Sequence, residues 1–197
     1  MFKKDPTPGP KTKLKSSAQR SLRARLAETY PLLEPHLDDL LPKRSQVDVV
    51  KIPAERVTVY TLDGEGLFYS YAEPGTKTEL LLPHLKTVHK FPWAFQKVRI
   101  DRGAIRFVLS GATLMVPGLT SPGGRLPNSN QNDDVYGNDG KDLDAGQIVV
   151  VDAEGKENAC LVGVLRMGTS EMKEKKKGVA IDNGHYLGDG LWKMDFS

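Results

Sequence analysis

A single cysteine, Cys160, stands among the 197 residues. One thiol cannot form an intramolecular disulfide, so a disulfide-stapled secreted scaffold is excluded. Cysteine-rich zinc motifs are excluded on the same ground. Long apolar runs are missing as well. The longest stretch without charge, Phe107–Gly124, is interrupted by Ser110, Gly111, Pro117, Gly118, Ser121, Pro122, Gly123 and Gly124. It does not read as a membrane span, which needs about 20 predominantly apolar residues. No apolar h-region follows the basic start, so the start does not read as a signal peptide. A soluble intracellular chain that touches no membrane is the expectation.

Catalytic signatures are equally scarce. Gly140-Lys141 and Gly155-Lys156 lack the first glycine of a phosphate-binding loop and the Ser or Thr that should follow the lysine. No Gly-x-Ser-x-Gly elbow surrounds Ser110, Ser121 or Ser170. The four histidines, His36, His84, His89 and His185, include no i,i+4 pair that would build a helical metal site. Cys160 sits in an apolar strand pattern and reads as core rather than nucleophile. The expectation is therefore binding rather than catalysis: no catalytic residue, no metal, no cofactor and no small-molecule substrate.

What the chain does have begins with an uneven charge. The formal net charge is +3. Residues 1–25 carry Lys3, Lys4, Lys11, Lys13, Lys15, Arg20, Arg23 and Arg25 against Asp5 alone, a local +7, which leaves −4 for everything else. A polyanion is a plausible partner for such an end, and a solvated basic tail is the alternative. Leu14, Ala18, Leu22, Leu26 and Tyr30 recur every fourth residue and predict a helix that Pro31 stops. Lys15, Arg20, Arg23 and Arg25 fall off that seam and are expected to face outward. A second short helix is expected over Leu32–Leu41.

The period then changes from helical to alternating. Val47–Ile52, Arg56–Leu62 and Gly66–Tyr71 are rich in β-branched and aromatic residues, and Asp63-Gly64 is a hairpin signal. Leu80–Val88 is expected to be helical in part. Beyond about Trp93 a second unit opens. Its expected elements are a strand at Lys97–Asp101, a helix at Arg102–Ser110 closed by Gly111, a strand at Ala112–Val116 and a turn at Pro117-Gly118. Strands at Gln147–Asp152 and Ala159–Met167, a charged helix at Thr169–Lys177 ended by Gly178, and a glycine-broken strand at Tyr186–Met194 complete it. Many short strands of this kind predict a small barrel or pseudobarrel. Asn128–Asp144 holds nine Asn and Asp residues with Gly137 and Gly140, and is read as a flexible surface insertion. Its composition resembles a calcium loop, but the required register and the glutamate at the twelfth position are absent.

The most informative segment is Val98–Gly123. Gly111 and Gly118 permit positive φ or the close approach of another backbone, and Arg99, Arg102 and Arg106 could place cations beside that approach. In the other reading Gly111 is a helix cap and the arginines are solvated; the pattern alone leaves both open.

This segment resembles the RNA-binding PUA domain, named for pseudouridine synthase and archaeosine transglycosylase. The resemblance is to the malignant T-cell-amplified sequence proteins and their fungal translation-machinery-associated counterparts. Met1-Phe2-Lys3-Lys4, His89-Lys90-Phe91-Pro92, Gly155-Lys156-Glu157-Asn158-Ala159 and His185–Trp192 add to it. Asp5–Lys13 departs from the family, and the Asn/Asp-rich insertion is longer than the family pattern. The resemblance implies an α+β chain: an N-terminal α/β pre-PUA domain over 1–92 for partner and ribosome contacts, then a PUA pseudobarrel over 93–197 with an insertion at about 126–145.

It further implies a cytoplasmic, non-enzymatic translation factor. Such a factor pairs with density-regulated protein, which carries an SUI domain, and acts on small ribosomal subunit RNA and the tRNA acceptor end. It promotes release of deacylated tRNA, subunit recycling and reinitiation or non-standard initiation. The alternatives are a targeting subunit of an RNA-modification enzyme and a protein-binding scaffold. The residues expected at RNA are Lys97, Arg99, Arg102, Arg106, Ser110, Gly111 and Ala112. Lys13, Lys15, Arg20 and Arg23 are candidate phosphate contacts, and Ser121, before Pro122, is a candidate phosphorylation site that is otherwise an ordinary turn residue.

Overall fold

The structure is a computed structural model that describes residues 1–73, 75, 78–128 and 140–197. The chain starts with strand β1 (Lys11–Lys13) and helix α1 (Ser16–Thr29). Strand β1 carries no apolar signal and was not anticipated. It pairs antiparallel with β2 (Asp48–Ile52), Lys11 opposite Val50 and Lys13 opposite Asp48. Its lysines stand exposed at the sheet edge, where charge discourages pairing with another chain.

Helix α1 buries Leu22 and Leu26 as its period predicts, together with Gln19. The expected second helix divides in two. A 3-10 turn over Pro31–His36 contains Pro35, which offers no N–H to an α-helical ladder, and α2 (Leu37–Leu40) follows. Strands β3 (Val57–Leu62), β4 (Glu65–Ala72) and β5 (Glu79–Pro83) complete an antiparallel sheet in the order β1-β2-β3-β4-β5. Asp63 and Gly64 both take positive φ, 49° and 80°, the backbone of a tight primed turn. Leu80–Pro83 is strand rather than helix, with Tyr71 opposite Leu80 and Phe68 opposite Pro83. Proline is tolerated there because β5 is an edge. Helix α3 (Leu85–Lys90) starts only after His84, whose Nδ1 accepts the Lys86 N–H at 3.1 Å.

The second unit comprises β6 (Lys97–Ile100), α4 (Ile105–Leu109), β7 (Leu114–Met115), α5 (Pro117–Thr120), β8 (Ile148–Ala153), β9 (Leu161–Val164), α6 (Thr169–Lys175), β10 (Val179–Ile181), β11 (His185–Tyr186) and α7 (Gly190–Lys193). The sheet order is β11-β9-β8-β6, with β6 and β8 parallel, and β10 pairs with β7. Bridges Arg99–Arg125 and Leu165–Ile181 draw the sheets into a pseudobarrel.

In the second unit three elements differ from the sequence expectation. Arg102–Ala104 is a turn, so α4 is one helical turn long. Pro117–Thr120 is a short helix rather than a turn. Tyr186–Met194 is not a strand: Asp189 caps α7, accepting the Trp192 N–H at 2.8 Å, and Gly188 at φ 87° reverses the chain before it. The Asn/Asp-rich insertion lies mostly outside the described residues, since its 129–139 portion is not described. Its described ends run into the core, where Leu126 and Leu143 are buried.

Two cores share β8. Val149 and Val151 face the core of the second unit, whereas Val150 joins the core of the first with Ala159, Val162, Val164, Leu191 and Phe196. A strand covered on both faces reads as a continuous apolar run, as Ile148–Val151 does. The junction is filled by Phe2, fully buried between Tyr69 and His185, with ring centroids at 5.8 and 6.1 Å. The Gly190 N–H donates to the Phe2 carbonyl at 2.9 Å and fixes it there.

His84 also lies in this junction, its ring 4.7 Å from that of His185, and its Nε2–H donates to the Leu191 carbonyl at 3.3 Å. Burial, and then the His185 ring, hold His84 neutral well below the usual imidazole value of 6.5. The unfolded chain therefore binds a proton that the folded chain refuses, and stability falls as pH drops below 6.5. Through this group alone the loss between pH 7 and 5.5 is expected to be about 1 kcal/mol. Urea melts at the two pH values, on wild type and His84→Gln, check it: the difference should shrink in the variant.

Candidate nucleic-acid interface

Helix α4 is too short to bury more than one face. Val108 points inward, while Phe107 and Leu109 stay in solvent at 52% and 41% exposure. Across from α4, Met115 is exposed as well, and α5 begins at Pro117. Between them runs a groove of about 510 Å³, lined among others by Asp101, Ala104, Phe107, Thr113, Met115 and Pro117. A bound molecule would meet mostly apolar surface there. The Asp101 carboxylate accepts the Ala104 N–H at 3.0 Å, and the Asp101 N–H reaches the Gly118 carbonyl at 2.8 Å, so both walls are tied to the end of β6. Gly118 keeps the floor open, because a Cβ there would stand 3.1 Å from that of Ala104.

Positive charge stands at the rim. The Arg106 guanidinium lies over the Phe107 ring, 4.7 Å from its centroid. Arg102 is exposed; the fold uses only its backbone N–H, which donates to Glu154 at 3.0 Å. Ser110 ends α4 with its hydroxyl on the Phe107 carbonyl at 2.8 Å, and Ala112 lines the groove. Gly111 is required twice over. Its φ is 74°, and a Cβ would sit 2.8 Å from the Tyr186 hydroxyl. The left-handed backbone and the close approach both exclude a side chain.

Arg102, Arg106, Ser110, Gly111 and Ala112 thus come together around α4. Two other expected RNA residues do not. Lys97 is buried, and its ammonium bonds Asp152 at 3.1 Å across the parallel β6–β8 pair. Arg99 is half-buried and donates from Nε to the Gly123 carbonyl at 3.0 Å, clasping the segment that returns beside β6. At the other end of the chain Lys13, Lys15 and Arg20 are exposed. Arg23 is not free: it bonds the Leu37 carbonyl at 3.1 Å, the Leu41 carbonyl and Asp38. It shares the Leu37 carbonyl with the Leu41 N–H, which closes α2 at 2.8 Å, and reaches the Leu41 carbonyl just past the helix end. Hydrogen bonding from Arg23 holds the Asp38 carboxyl below its usual value.

Ser121 lines the groove, with its N–H on the Pro117 carbonyl at 2.9 Å. Phe107 and Met115, the exposed apolar surface of the groove, were missed. The available signal was Ile105–Leu109, nearly all apolar in a segment able to bury a single side.

Cys160 is buried, its thiol pushed up to about 12 by burial and then by Asp152, which suits core and not nucleophile. Among the described residues no group of three His, Cys, Asp or Glu side chains is placed to hold a metal ion. No helix among them is long and apolar enough to cross a membrane.

An antiparallel sheet with helices, joined to a pseudobarrel that carries this groove, defines a pre-PUA and PUA protein. The Pre-PUA-like domain family matches residues 2–92 and the PUA domain family residues 96–187. Translation machinery-associated protein 20 of Saccharomyces cerevisiae is 46% identical over 184 residues, covering 93% of this chain and 92% of that one. Malignant T-cell-amplified sequence 2 of Homo sapiens is 37% identical over 181 residues, covering 92% and 89%. The chain belongs to the family of these two proteins. In fold it resembles a hypothetical protein from Pyrococcus horikoshii at a TM-score of 0.68 and 19% identity, over 93% of this chain and 98% of that one.

Proposed function

We propose that the chain is a cytoplasmic, non-enzymatic translation factor that binds RNA through the groove between α4 and α5. It acts on the small ribosomal subunit with an SUI-domain partner of the density-regulated kind. There it promotes release of deacylated tRNA, subunit recycling and reinitiation or non-standard initiation. The translation role is supported by the names of relatives that match almost end to end.

The observation that carries RNA binding is an exposed Phe107 under Arg106, on a helix that ends at the left-handed turn of Gly111. An aromatic face stacks an unpaired base whatever its identity, and a guanidinium beside it takes the adjoining phosphate. Unpaired bases at a tRNA acceptor end fit that chemistry. Phosphate on Ser121 would add about −1.5 to −2 charges to the same rim and oppose the arginines.

Affinity isolation of the tagged chain from cell extract, with sequencing of bound RNA and identification of bound protein, tests the reading. Small-subunit RNA and an SUI-domain protein are expected together. A preparation that recovers neither overturns the proposal.

A further inference from the structure

Outside the groove, unpaired positive charge gathers on the first unit. A cleft of about 500 Å³ lies between the start of α1 and the loop after α2, with Ser16 and Arg20 on one wall and Lys43, Arg44 and Gln46 on the other. The walls are held at a set distance. Buried Gln19 donates from Nε2 to the Ser45 carbonyl at 2.8 Å and accepts the Val47 N–H at 3.3 Å, so α1 grips the loop through one side chain. Gln46 reaches the Leu14 carbonyl at 3.0 Å from the other side.

Charge within the cleft is not balanced. Asp38 serves both Arg23 and Lys43. Arg20 and Arg44 make no ion pair among the described residues, and both are exposed. The first turn of α1 has no acidic residue and no side-chain cap, so its N–H groups add to the positive potential.

The geometry points to this cleft as a second RNA contact, one that holds phosphates of a single strand between Arg20 and Arg44. The row that leads into it favours a polymer over a lone phosphate. Lys11 and Lys13 on β1 and Lys15 beyond it are all exposed and alternate along extended chain that runs straight into Ser16. Alternate residues of extended chain share a side at intervals of about 6.6 Å. The lining contains no apolar side chain. A protein partner would need an apolar anchor, whereas a phosphate backbone needs only cations and donors. This inference deepens the RNA-binding reading but uses different residues, so the two can fail separately.

The test is binding of a fluorescent single-stranded RNA across a salt series, with the full chain, Arg20→Gln/Arg44→Gln, and Arg102→Glu/Arg106→Glu. Losing two phosphate contacts should make the log–log salt slope shallower by about 1.4 and weaken binding about tenfold near 0.1 M salt. Both replaced side chains are exposed, and an unchanged thermal midpoint would show that the fold survives. An unchanged slope and affinity in Arg20→Gln/Arg44→Gln overturns the cleft while leaving the groove intact. Salt-sensitive binding that survives Arg102→Glu/Arg106→Glu but not Arg20→Gln/Arg44→Gln sustains the cleft even if the groove fails. Displacement of the RNA by polyglutamate at equal charge concentration would assign the cleft to an acidic protein segment and overturn the RNA assignment.

Discussion

Replacing Phe2 with alanine is expected to cost about 3–5 kcal/mol of folding stability, the range for truncating a buried phenylalanine. Phe2 belongs to the first core, touches the rings of Tyr69 and His185, and has no solvent exposure. Its backbone sits at φ 54°, an unusual value for a bulky residue, so its burial outweighs a conformational penalty. Collapse around the deleted ring is opposed from several sides. The Gly190 N–H holds the Phe2 carbonyl, and Lys4 and Pro6 pass so close to Gly190 that any Cβ there would clash. Urea denaturation measures the loss; the midpoint should fall with the slope unchanged. Phe2→Leu should lose distinctly less, because most of the volume is kept. A cost below about 1 kcal/mol in Phe2→Ala would mean that the junction relaxes freely and that the packing described above is not what joins the two units.

The second large effect concerns binding. Reversing two charges at once, Arg102→Glu with Arg106→Glu, is expected to weaken RNA affinity by about 100-fold near 0.1 M salt, as two charge-assisted contacts are lost and repulsion takes their place. Neither side chain supports the core, so the thermal midpoint should hold. Arg106→Lys separates two contributions. The charge stays, but the planar group over Phe107 is replaced by a compact ammonium, so an intermediate loss is expected. Fluorescence anisotropy with an unstructured RNA reads both variants. Wild-type affinity in the double variant would remove the α4–α5 groove from the RNA surface.

Which of these residues could be found by reading alone depended on where each partner lies. Leu22, Leu26 and the Asp63-Gly64 turn were legible because their signals are complete within a few neighbours. The arginines and lysines were legible as cations but not as exposed cations. Lys97 points at Asp152, Arg99 at the Gly123 carbonyl, and Arg23 at Leu37, Leu41 and Asp38; all of these partners are brought near by the fold. Arg106 and Arg102 look no different in the sequence, and they remain available only because α4 and the turn before it bury so little. The chain end misled for a local reason. Gly188 and Gly190 resemble interruptions of a strand, whereas Asp189 between them gathers the Tyr186 and Trp192 N–H groups and the His185 ring. Strand β1 had no periodicity to find, since all three of its residues face solvent.

The shared core carries a consequence for synthesis. The sheet β1–β5 can pair as soon as it has been made, since each strand neighbours the next in the chain. Its core is not complete then, because Val150, Val162, Leu191 and Phe196 arrive about 70 to 110 residues after the end of β5. At about 5–20 residues per second the nascent chain carries that core incomplete for roughly 5–20 s. During this interval the half-made protein exposes the kind of apolar surface that holdase chaperones bind, and a product truncated before β8 would leave its first unit with an incomplete core.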